Sequence, residues 1–334
     1  MKQLPICVAF ASMVVTGSAI AVARPLRNLS IRHLRFLIAG VLAVPALAQA
    51  QAEDLTGTFQ KIKETGIIAL GIRDTAVPFS YIDDKQQVVG YTIDICMKVV
   101  DAIKAELKMP DLKVQTNVVT ASNRIPLMAN GTVDLECSNT TNNPDRQKQV
   151  TFSNSHFLTA SKFVSRKADH IASIEGLKGK AVTSVSGSSN MVQLNQVNAS
   201  RKLGITVLPA KDGVEAFLMV ETGRAAAYVM DDVLLAAVIA GSKDPSLYEI
   251  VDDPFSKPEP YGIMLRRNDP AFKAVVDRAT ATLYKSPEMK AIYDKWFLSP
   301  IPPKGINFNV PIPPVLKHQF ESPTDSPDPA SYPG

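Results

Sequence analysis

Short apolar runs alternate with helix-like patterns along most of the chain. Strand-like runs occupy residues 67–72, 112–119 and 133–137, and apolar positions at helical spacing cover 93–107 and 123–130. This β-α-β-α-β order is typical of an α/β sheet with helices packed on it.

A second set of alternating elements begins near Gly179. Its predicted strands and helices, in chain order, cover 180–184, 190–198, 206–208, 214–221, 226–230 and 233–240. Two closing helices are predicted at 270–285 and 287–297. The pattern therefore predicts two α/β units of similar size, one after the other.

Proline becomes dense after Ser299. Because proline removes a backbone donor and fixes φ, this segment is predicted to form neither regular helix nor sheet. We expect the Pro-rich tail, 311–334, to wrap over the surface and its last ten or so residues to be disordered.

The first fifty residues have the pattern of a targeting segment. A basic patch around Arg32 is followed by an apolar run at 36–47 and by alternating small residues up to Ala52. These features predict a secretory signal over 1–52, cleaved after Ala50 or Ala52, and an exported mature chain. Residues 4–23 are long enough to form a membrane helix instead, and this alternative stays open.

Composition and charge narrow the function classes. The 334 residues are 46% hydrophobic and 20% charged, an ordinary globular mixture. The formal net charge is +4, but 1–52 holds five basic residues and no acidic one, so the remainder has 31 basic against 32 acidic residues. Nucleic acid and anionic membranes are therefore not expected as partners.

The cysteines and histidines give no metal-ligand spacing, and neither a metal nor a cofactor is expected. Cys96 and Cys137 remain in the mature chain, where they form either a disulfide or two buried thiols. P-loop, G-x-S-x-G, H-E-x-x-H and G-x-G-x-x-G motifs do not occur. The sequence thus favours binding over catalysis.

Arginines and hydroxyl groups follow several predicted strands. Arg73 follows the first strand, Arg124 opens a short helix that Ser122 or Asn123 can cap, and Arg146 ends a polar loop that starts at Ser138. Polar loops at the carboxyl ends of parallel strands are common ligand sites in α/β proteins. Asp231 also follows a strand, where it serves either to bind a cation or to cap the next helix.

Several short motifs together resemble one known family, the periplasmic solute-binding proteins of polar amino-acid ABC importers (family 3). The matching stretches include Val77-Pro78-Phe79, Asn123-Arg124-Ile125-Pro126, Thr140-Thr141-Asn142-Asn143, Met230-Asp231-Asp232 and Lys295-Trp296-Phe297. The resemblance covers about 57–310 and is strongest to the members that bind glutamate and aspartate.

The resemblance implies a two-lobed periplasmic-binding-protein fold of type II, with two α/β lobes joined by two crossover strands. Lobe 1 would comprise 53–158 plus 260–310, and lobe 2 would comprise 163–255. The lobes would close on one amino acid, which the protein, expected to be a monomer, would deliver to a membrane permease.

The resemblance also implies a ligand site. Arg146, supported by Thr141 and the backbone near Asn139, would hold the ligand α-carboxylate, and Asp231 would hold the ammonium. Arg73 and Arg124 would hold an acidic side chain, for which the planar arginine fork is well suited. Lobe 2 would add donors from Gly187, Ser188 and Ser189.

The chain departs from the family pattern at four positions. Gly213 replaces a histidine, Asn139 and Ala121 replace hydroxyl residues, and Ile263 replaces a cysteine. A neutral ligand such as glutamine or asparagine therefore remains an alternative, as do a periplasmic dehydratase on the same fold and an anchored sensor. Two buried arginines without an anion would be costly, which favours glutamate or aspartate.

Overall fold

A computed structural model describes residues 56–332. The predicted targeting segment, 1–52, lies outside the described residues, as do 333–334. Within 56–332, every helix is too short or too polar to span a bilayer.

The strands carry the architecture. They are, in chain order, β1 Ile67–Ile72, β2 Thr75–Ala76, β3 Ser80–Ile82, β4 Val88–Val89, β5 Lys113–Val118, β6 Leu135–Glu136, β7 Val150–Phe152, β8 Phe157–Thr159, β9 Ser161–Arg166, β10 Ala181–Val185, β11 Thr206–Ala210, β12 Ala227–Asp231, β13 Tyr248–Val251, β14 Glu259–Tyr261 and β15 Met264–Arg266.

The helices pack around these strands. They are α1 Gly57–Thr65, α2 Tyr91–Leu107, α3 Arg124–Ala129, α4 Pro144–Gln147, α5 Ser189–Ser200, α6 Gly213–Glu221, α7 Asp232–Gly241, α8 Pro270–Tyr284, α9 Pro287–Phe297 and α10 Pro314–Glu321. Short 3-10 turns add Lys167–Asp169, Ile174–Leu177, Pro245–Leu247 and Pro329–Ser331.

Two mixed sheets of five strands form the body of the molecule. The first has the order β5-β1-β6-β15-β7 and the second β11-β10-β12-β9-β13. In each sheet four strands run in the same direction and one runs against them, β15 in the first sheet and β9 in the second. The α/β prediction is therefore confirmed, and each predicted unit corresponds to one sheet.

The chain passes twice between the two sheets. It leaves the first sheet after β7 and reaches β9 through β8, and it returns from β13 to β15 through β14. β8 and β14 pair with each other in a short antiparallel ladder, here called the connecting ladder. Because both passages are bound to each other, the two sheets are joined at one place.

Aromatic side chains surround the connecting ladder. Phe79 contacts Tyr91, Phe157 and Tyr261 edge-on at centroid distances of 5.0 to 5.9 Å. Tyr91 is the first residue of α2, and Gly90 precedes it. A Cβ on Gly90 would lie 2.2 Å from the Phe79 carbonyl oxygen, and φ of Gly90 is +146°. Only glycine fits there, so the start of α2 can approach the loop that carries Phe79.

Cys96 and Cys137 form a disulfide with a Cα–Cα distance of 6.1 Å. The bond joins α2 to the residue that follows β6, and both cysteines are fully buried. Of the two possibilities that the sequence left open, a disulfide and two buried thiols, the structure has the disulfide. The bond anchors the polar loop that begins at Ser138.

The prediction of an irregular tail was wrong. Residues 314–321 form α10. The chain beyond α10 is held by Ser155, which lies between β7 and β8. Ser155 N donates to the Thr324 carbonyl at 2.9 Å, and Ser155 Oγ contacts the Tyr332 hydroxyl at 2.8 Å. The prolines explain the error. Pro313 and Pro314 stand at the start of α10, where a missing N–H costs nothing, and the rest of the helix lacks proline.

Candidate functional site

A cavity of about 450 Å³ lies between the first and second sheets. Seven of the nine predicted ligand residues line it: Arg73, Arg124, Asn139, Thr141, Ser188, Ser189 and Asp231. Among residues 56–332, the cavity wall does not include Arg146 or Gly187, and these two residues contact each other. Residues separated by up to 158 positions are thus brought together.

The first sheet supplies two of the arginines. Arg73 directly follows β1, and its backbone N–H donates to Ser80 Oγ at 2.9 Å. Arg124 opens α3 after β5, and Asn123, the residue before it, uses its side chain to accept from Thr120 N rather than to cap the helix. Both arginines are almost fully buried, at 6% and 3% exposure. The predicted capping role of Asn123 is therefore wrong, although the helix start is correct.

Arg146 lies in α4, which Asn143 caps by accepting from Arg146 N at 2.9 Å. Its guanidinium donates to the Thr141 carbonyl at 2.8 Å and to the Gly187 carbonyl at 3.4 Å. It therefore bridges the polar loop of the first sheet and the loop after β10. In this closed arrangement Gly187 acts as an acceptor, whereas the sequence predicts a donor.

A buried acid stands behind Arg124. Arg124 Nη1 donates to Thr140 Oγ1 at 2.6 Å, and Thr140 Oγ1 donates in turn to Glu136 Oε2 at 2.6 Å. Glu136 is fully buried, and its charge acts on Arg124 and on Arg146. The Thr140 hydroxyl thus links an acid to the arginine without a direct ion pair.

The loop after β10 contributes two serines with different roles. Ser188 Oγ accepts from Met191 N at 3.0 Å as the cap of α5 and donates to the Val185 carbonyl. Ser189 Oγ contacts Thr141 Oγ1 at 3.1 Å, across the cavity. Gly187 has φ +79°, and a Cβ there would lie 2.7 Å from the Ser122 Cα, so glycine permits the close approach of the two sides.

Asp231 ends β12 and is 2% exposed. The Tyr261 hydroxyl donates to its Oδ2, and Asn190 Nδ2 donates to its Oδ1 at 2.8 Å. The side chain therefore receives donors on both oxygens, and it does not cap α7. Of the two roles that the sequence left open, helix capping is excluded.

Burial shifts the acid–base balance of the site. It raises the pKa of Asp231, and the hydrogen bonds from Tyr261 and Asn190 oppose that rise. Burial, with the neighbouring positive charges of Arg146 and Arg73, lowers the pKa of Arg124 to about 9, while Glu136 opposes this shift. The site thus holds charges that are costly without a ligand of complementary charge.

Three residues of the site were not predicted from the sequence. They support predicted ligand residues. Glu136 is linked to Arg124 through Thr140, and both Asn190 and Tyr261 donate to Asp231. Asn190 directly follows the Ser188-Ser189 pair at the start of α5, so its position next to a predicted ligand loop is the one local signal available. For Glu136 and Tyr261 the sequence offers no such local signal.

The remaining wall of the cavity is apolar, with Val77, Ile82, Phe217 and Leu234 among its residues. Gly213 also lines it, and a Cβ there would lie 3.1 Å from the Tyr228 hydroxyl. Between residues 56 and 332, no group of three or more His, Cys, Asp or Glu side chains is arranged to hold a metal ion.

Comparison with known proteins agrees with this architecture. Residues 68–299 match the family "Bacterial extracellular solute-binding proteins, family 3". The L-glutamate/L-aspartate-binding protein of Pseudomonas aeruginosa is 47% identical over 290 residues, which are 86% of this chain and 94% of that protein. The glutamate/aspartate import solute-binding protein of Escherichia coli is 43% identical over 83% of this chain and 92% of its own.

Solved structures show the same fold. An ancestral arginine-binding protein bound to arginine superposes with a TM-score of 0.63 at 27% identity, covering 70% of this chain and 98% of that one. A solute receptor for L-cysteine from Neisseria gonorrhoeae gives 0.63 at 24% identity over 72% and 94%. These matches confirm the two-lobed fold. The family match and the relatives from Pseudomonas aeruginosa and Escherichia coli confirm the resemblance drawn from the sequence motifs, and with it a binding protein rather than an enzyme.

Proposed function

This chain belongs to the bacterial extracellular solute-binding proteins of family 3, and from that premise we propose that it captures an acidic amino acid, glutamate or aspartate, and presents it to an ABC importer. The names of the relatives from Pseudomonas aeruginosa and Escherichia coli support this ligand class and this transport role.

The charge of the buried site carries the proposal. Arg73, Arg124 and Arg146 supply three buried positive charges, while Asp231 and Glu136 supply two negative ones. The site therefore has one positive charge in excess. Glutamate and aspartate carry two carboxylates and one ammonium at pH 7, so one such ligand neutralises the set, whereas glutamine leaves the excess charge buried.

Each ligand group then has a partner of matching chemistry. Arg146 binds the α-carboxylate, with Thr141 and Asn139 beside it. Asp231 binds the ammonium. Arg73 and Arg124 bind the side-chain carboxylate, because their guanidinium groups offer the planar pair of donors that a carboxylate accepts.

Ligand capture is coupled to closure of the two lobes. Lobe 1 comprises 53–158 plus 260–310 and lobe 2 comprises 163–255, joined through the connecting ladder. Contacts across the cleft, such as Ser122 Oγ to the Ser186 carbonyl at 3.0 Å, support a closed form that a ligand touching both lobes stabilises. The protein acts as a monomer in the periplasm after removal of residues 1–52.

The test is calorimetry on the protein expressed with its own N-terminal segment and recovered from the periplasm. It is unfolded and refolded to remove carried-over ligand and then titrated with glutamate, aspartate, glutamine and asparagine. We expect binding of the two acidic ligands and a mature chain that starts near residue 53. Tight binding of only the neutral ligands would overturn the roles of Arg73 and Arg124.

A further inference from the structure

Tyr261 stands at the junction of the site and the connecting ladder. It is the last residue of β14 and is fully buried. Its carbonyl accepts from His156 N at 2.9 Å, and its backbone pairs with Thr141 in an isolated antiparallel bridge. The backbone of one residue therefore contacts both β8 and the loop that carries Thr141 and Arg146.

The side chain of Tyr261 reaches the other half of the site. Its hydroxyl donates to Asp231 Oδ2, while Asn190 occupies Oδ1. Asp231 belongs to the second sheet and Thr141 to the loop of the first. Tyr261 is thus one residue that contacts the proposed carboxylate subsite through its backbone and the proposed ammonium subsite through its hydroxyl.

We propose that Tyr261 is a positioning residue for ammonium recognition: it keeps the Asp231 carboxylate ionised and oriented, and it fixes this carboxylate relative to the loop of Thr141 and Arg146. The inference rests on the proposed function, since it assumes that Asp231 binds the ligand ammonium. Tyr261 acts on the ligand only through Asp231 and is not itself a ligand contact.

The physical basis is the cost of a buried carboxylate. Burial favours the protonated form of Asp231, and donors on its oxygens favour the ionised form. An ammonium ion binds the carboxylate and not the neutral acid, so a protonated Asp231 must release its proton before binding. Affinity for the ligand therefore falls as the pH drops through the pKa of Asp231 in the ligand-free protein.

Several other ionisable or polar groups face Asp231, and none of them is altered in the test. They are Asn190 on α5, Asp232 on α7, Arg146 on α4, Glu259 on β14 and Tyr228 on β12. Removing the Tyr261 hydroxyl leaves all of these groups in place. Besides the donor to Asp231, it removes the acceptor of the Asn139 side chain.

The decisive variant is Tyr261→Phe, which keeps the aromatic ring and removes the hydroxyl. We expect the affinity for glutamate at pH 7.5 to fall roughly tenfold, the effect of losing one hydrogen bond to a charged group. We also expect the pH at which affinity begins to fall to rise by about one unit, because the pKa of Asp231 rises without its donor. Glutarate, which lacks the ammonium, should bind equally to both proteins.

Tyr91→Phe is the matched control. The Tyr91 hydroxyl donates to the His156 carbonyl at 2.7 Å, so this variant also loses a buried hydroxyl beside the connecting ladder without touching Asp231. We expect its pH profile of glutamate binding to equal that of the wild type. A profile that shifts in both variants would show a general loosening of the ladder and would overturn the inference.

A second measurement does not depend on ligand binding. Carboxyl-carbon NMR of the ligand-free protein, with Asp231→Asn to assign the signal, should show Asp231 titrating at higher pH in Tyr261→Phe than in the wild type. An unchanged titration overturns the inference about Tyr261 even where glutamate binds as proposed. Failure of the wild type to bind any acidic amino acid overturns the proposed function, and the NMR titration still decides the ionisation of Asp231.

Discussion

The two ends of the site solve the problem of buried charge in opposite ways. At the acid end, both oxygens of Asp231 accept hydrogen bonds from the protein, one from Tyr261 and one from Asn190. At the arginine end, the Nε atoms of Arg73 and Arg124 are buried, and neither finds a hydrogen-bond partner within residues 56–332. The acid end is satisfied in advance, whereas the arginine end keeps donors for a ligand.

This difference predicts where selectivity arises. A buried donor without a partner costs free energy, and an anionic ligand recovers that cost when it binds. A neutral side chain recovers less of it, so the arginine end discriminates between acidic and neutral amino acids. The acid end accepts the ammonium that all amino acids share, and we expect it to set affinity rather than selectivity.

The largest expected effect follows from Arg146→Ala, which removes a guanidinium that bonds to carbonyls on both sides of the cavity. Loss of a buried charge partner costs about 4 kcal/mol, so affinity for glutamate should fall about a thousandfold. Calorimetry measures the loss. Arg267→Ala, at an exposed arginine that bonds to the Lys148 carbonyl, is the control and should bind normally.

Arg124→Met tests the arginine end alone. We expect about 3 kcal/mol less binding free energy for glutamate and little change for glutamine, because only the acidic side chain pairs with this guanidinium. The ligand-free variant should also unfold at a higher temperature, since burial and Arg146 lower the pKa of Arg124 to about 9 and make its charge costly. An equal loss for both ligands would contradict the assignment. Arg278→Met, on the surface, is the control.

His156 separates the pH dependence of stability from that of binding. Its ring is fully buried, and burial lowers its pKa to about 3, so the ring is neutral in the folded protein. The contribution of the neutral ring to the free energy of unfolding is fully present above pH 6.5. It is lost as the pH falls towards 3, and the loss is about 2 kcal/mol at pH 5. In urea titrations at pH 5 and pH 7.5, His156→Ile should reduce this loss. The pH midpoint of glutamate binding should be the same in His156→Ile as in the wild type.

The smallest expected effect concerns the acid end. Asn190→Ala removes one donor from Asp231 and should reduce affinity about tenfold for glutamate and for glutamine alike, near 1.4 kcal/mol. Asn195→Ala, on the same helix, loses only a bond to the Met191 carbonyl at the surface and should bind as the wild type does. A larger loss for glutamate than for glutamine would place selectivity at both ends.

The sequence predicted the elements whose signals are local. β1 and α9 have the predicted bounds because Gly66 and Pro287 mark their beginnings. The strands β2 to β4 have only two or three residues each, and α1 is largely polar, so neither shows a clear period. Proline density alone predicts the tail wrongly, because it does not show where each proline lies relative to α10.

The site divides in the same way. Arg73 follows β1, Arg124 opens the helix after β5 and Asp231 ends β12, and the sequence pattern indicates these places. The partners of Asp231 lie 41 and 30 residues away, and no periodicity links them. The disulfide spans 41 residues and depends on the packing of α2 against the strand end, which the sequence alone does not fix.

A crystal structure of the protein with bound L-glutamate would show which end of the site holds each charged group of the ligand. We expect the ammonium on Asp231, the α-carboxylate on Arg146 and the side-chain carboxylate on Arg73 and Arg124. A ligand bound in the reverse direction, with its α-carboxylate on Arg124 and its ammonium away from Asp231, would contradict the division of the site into an acid end and an arginine end.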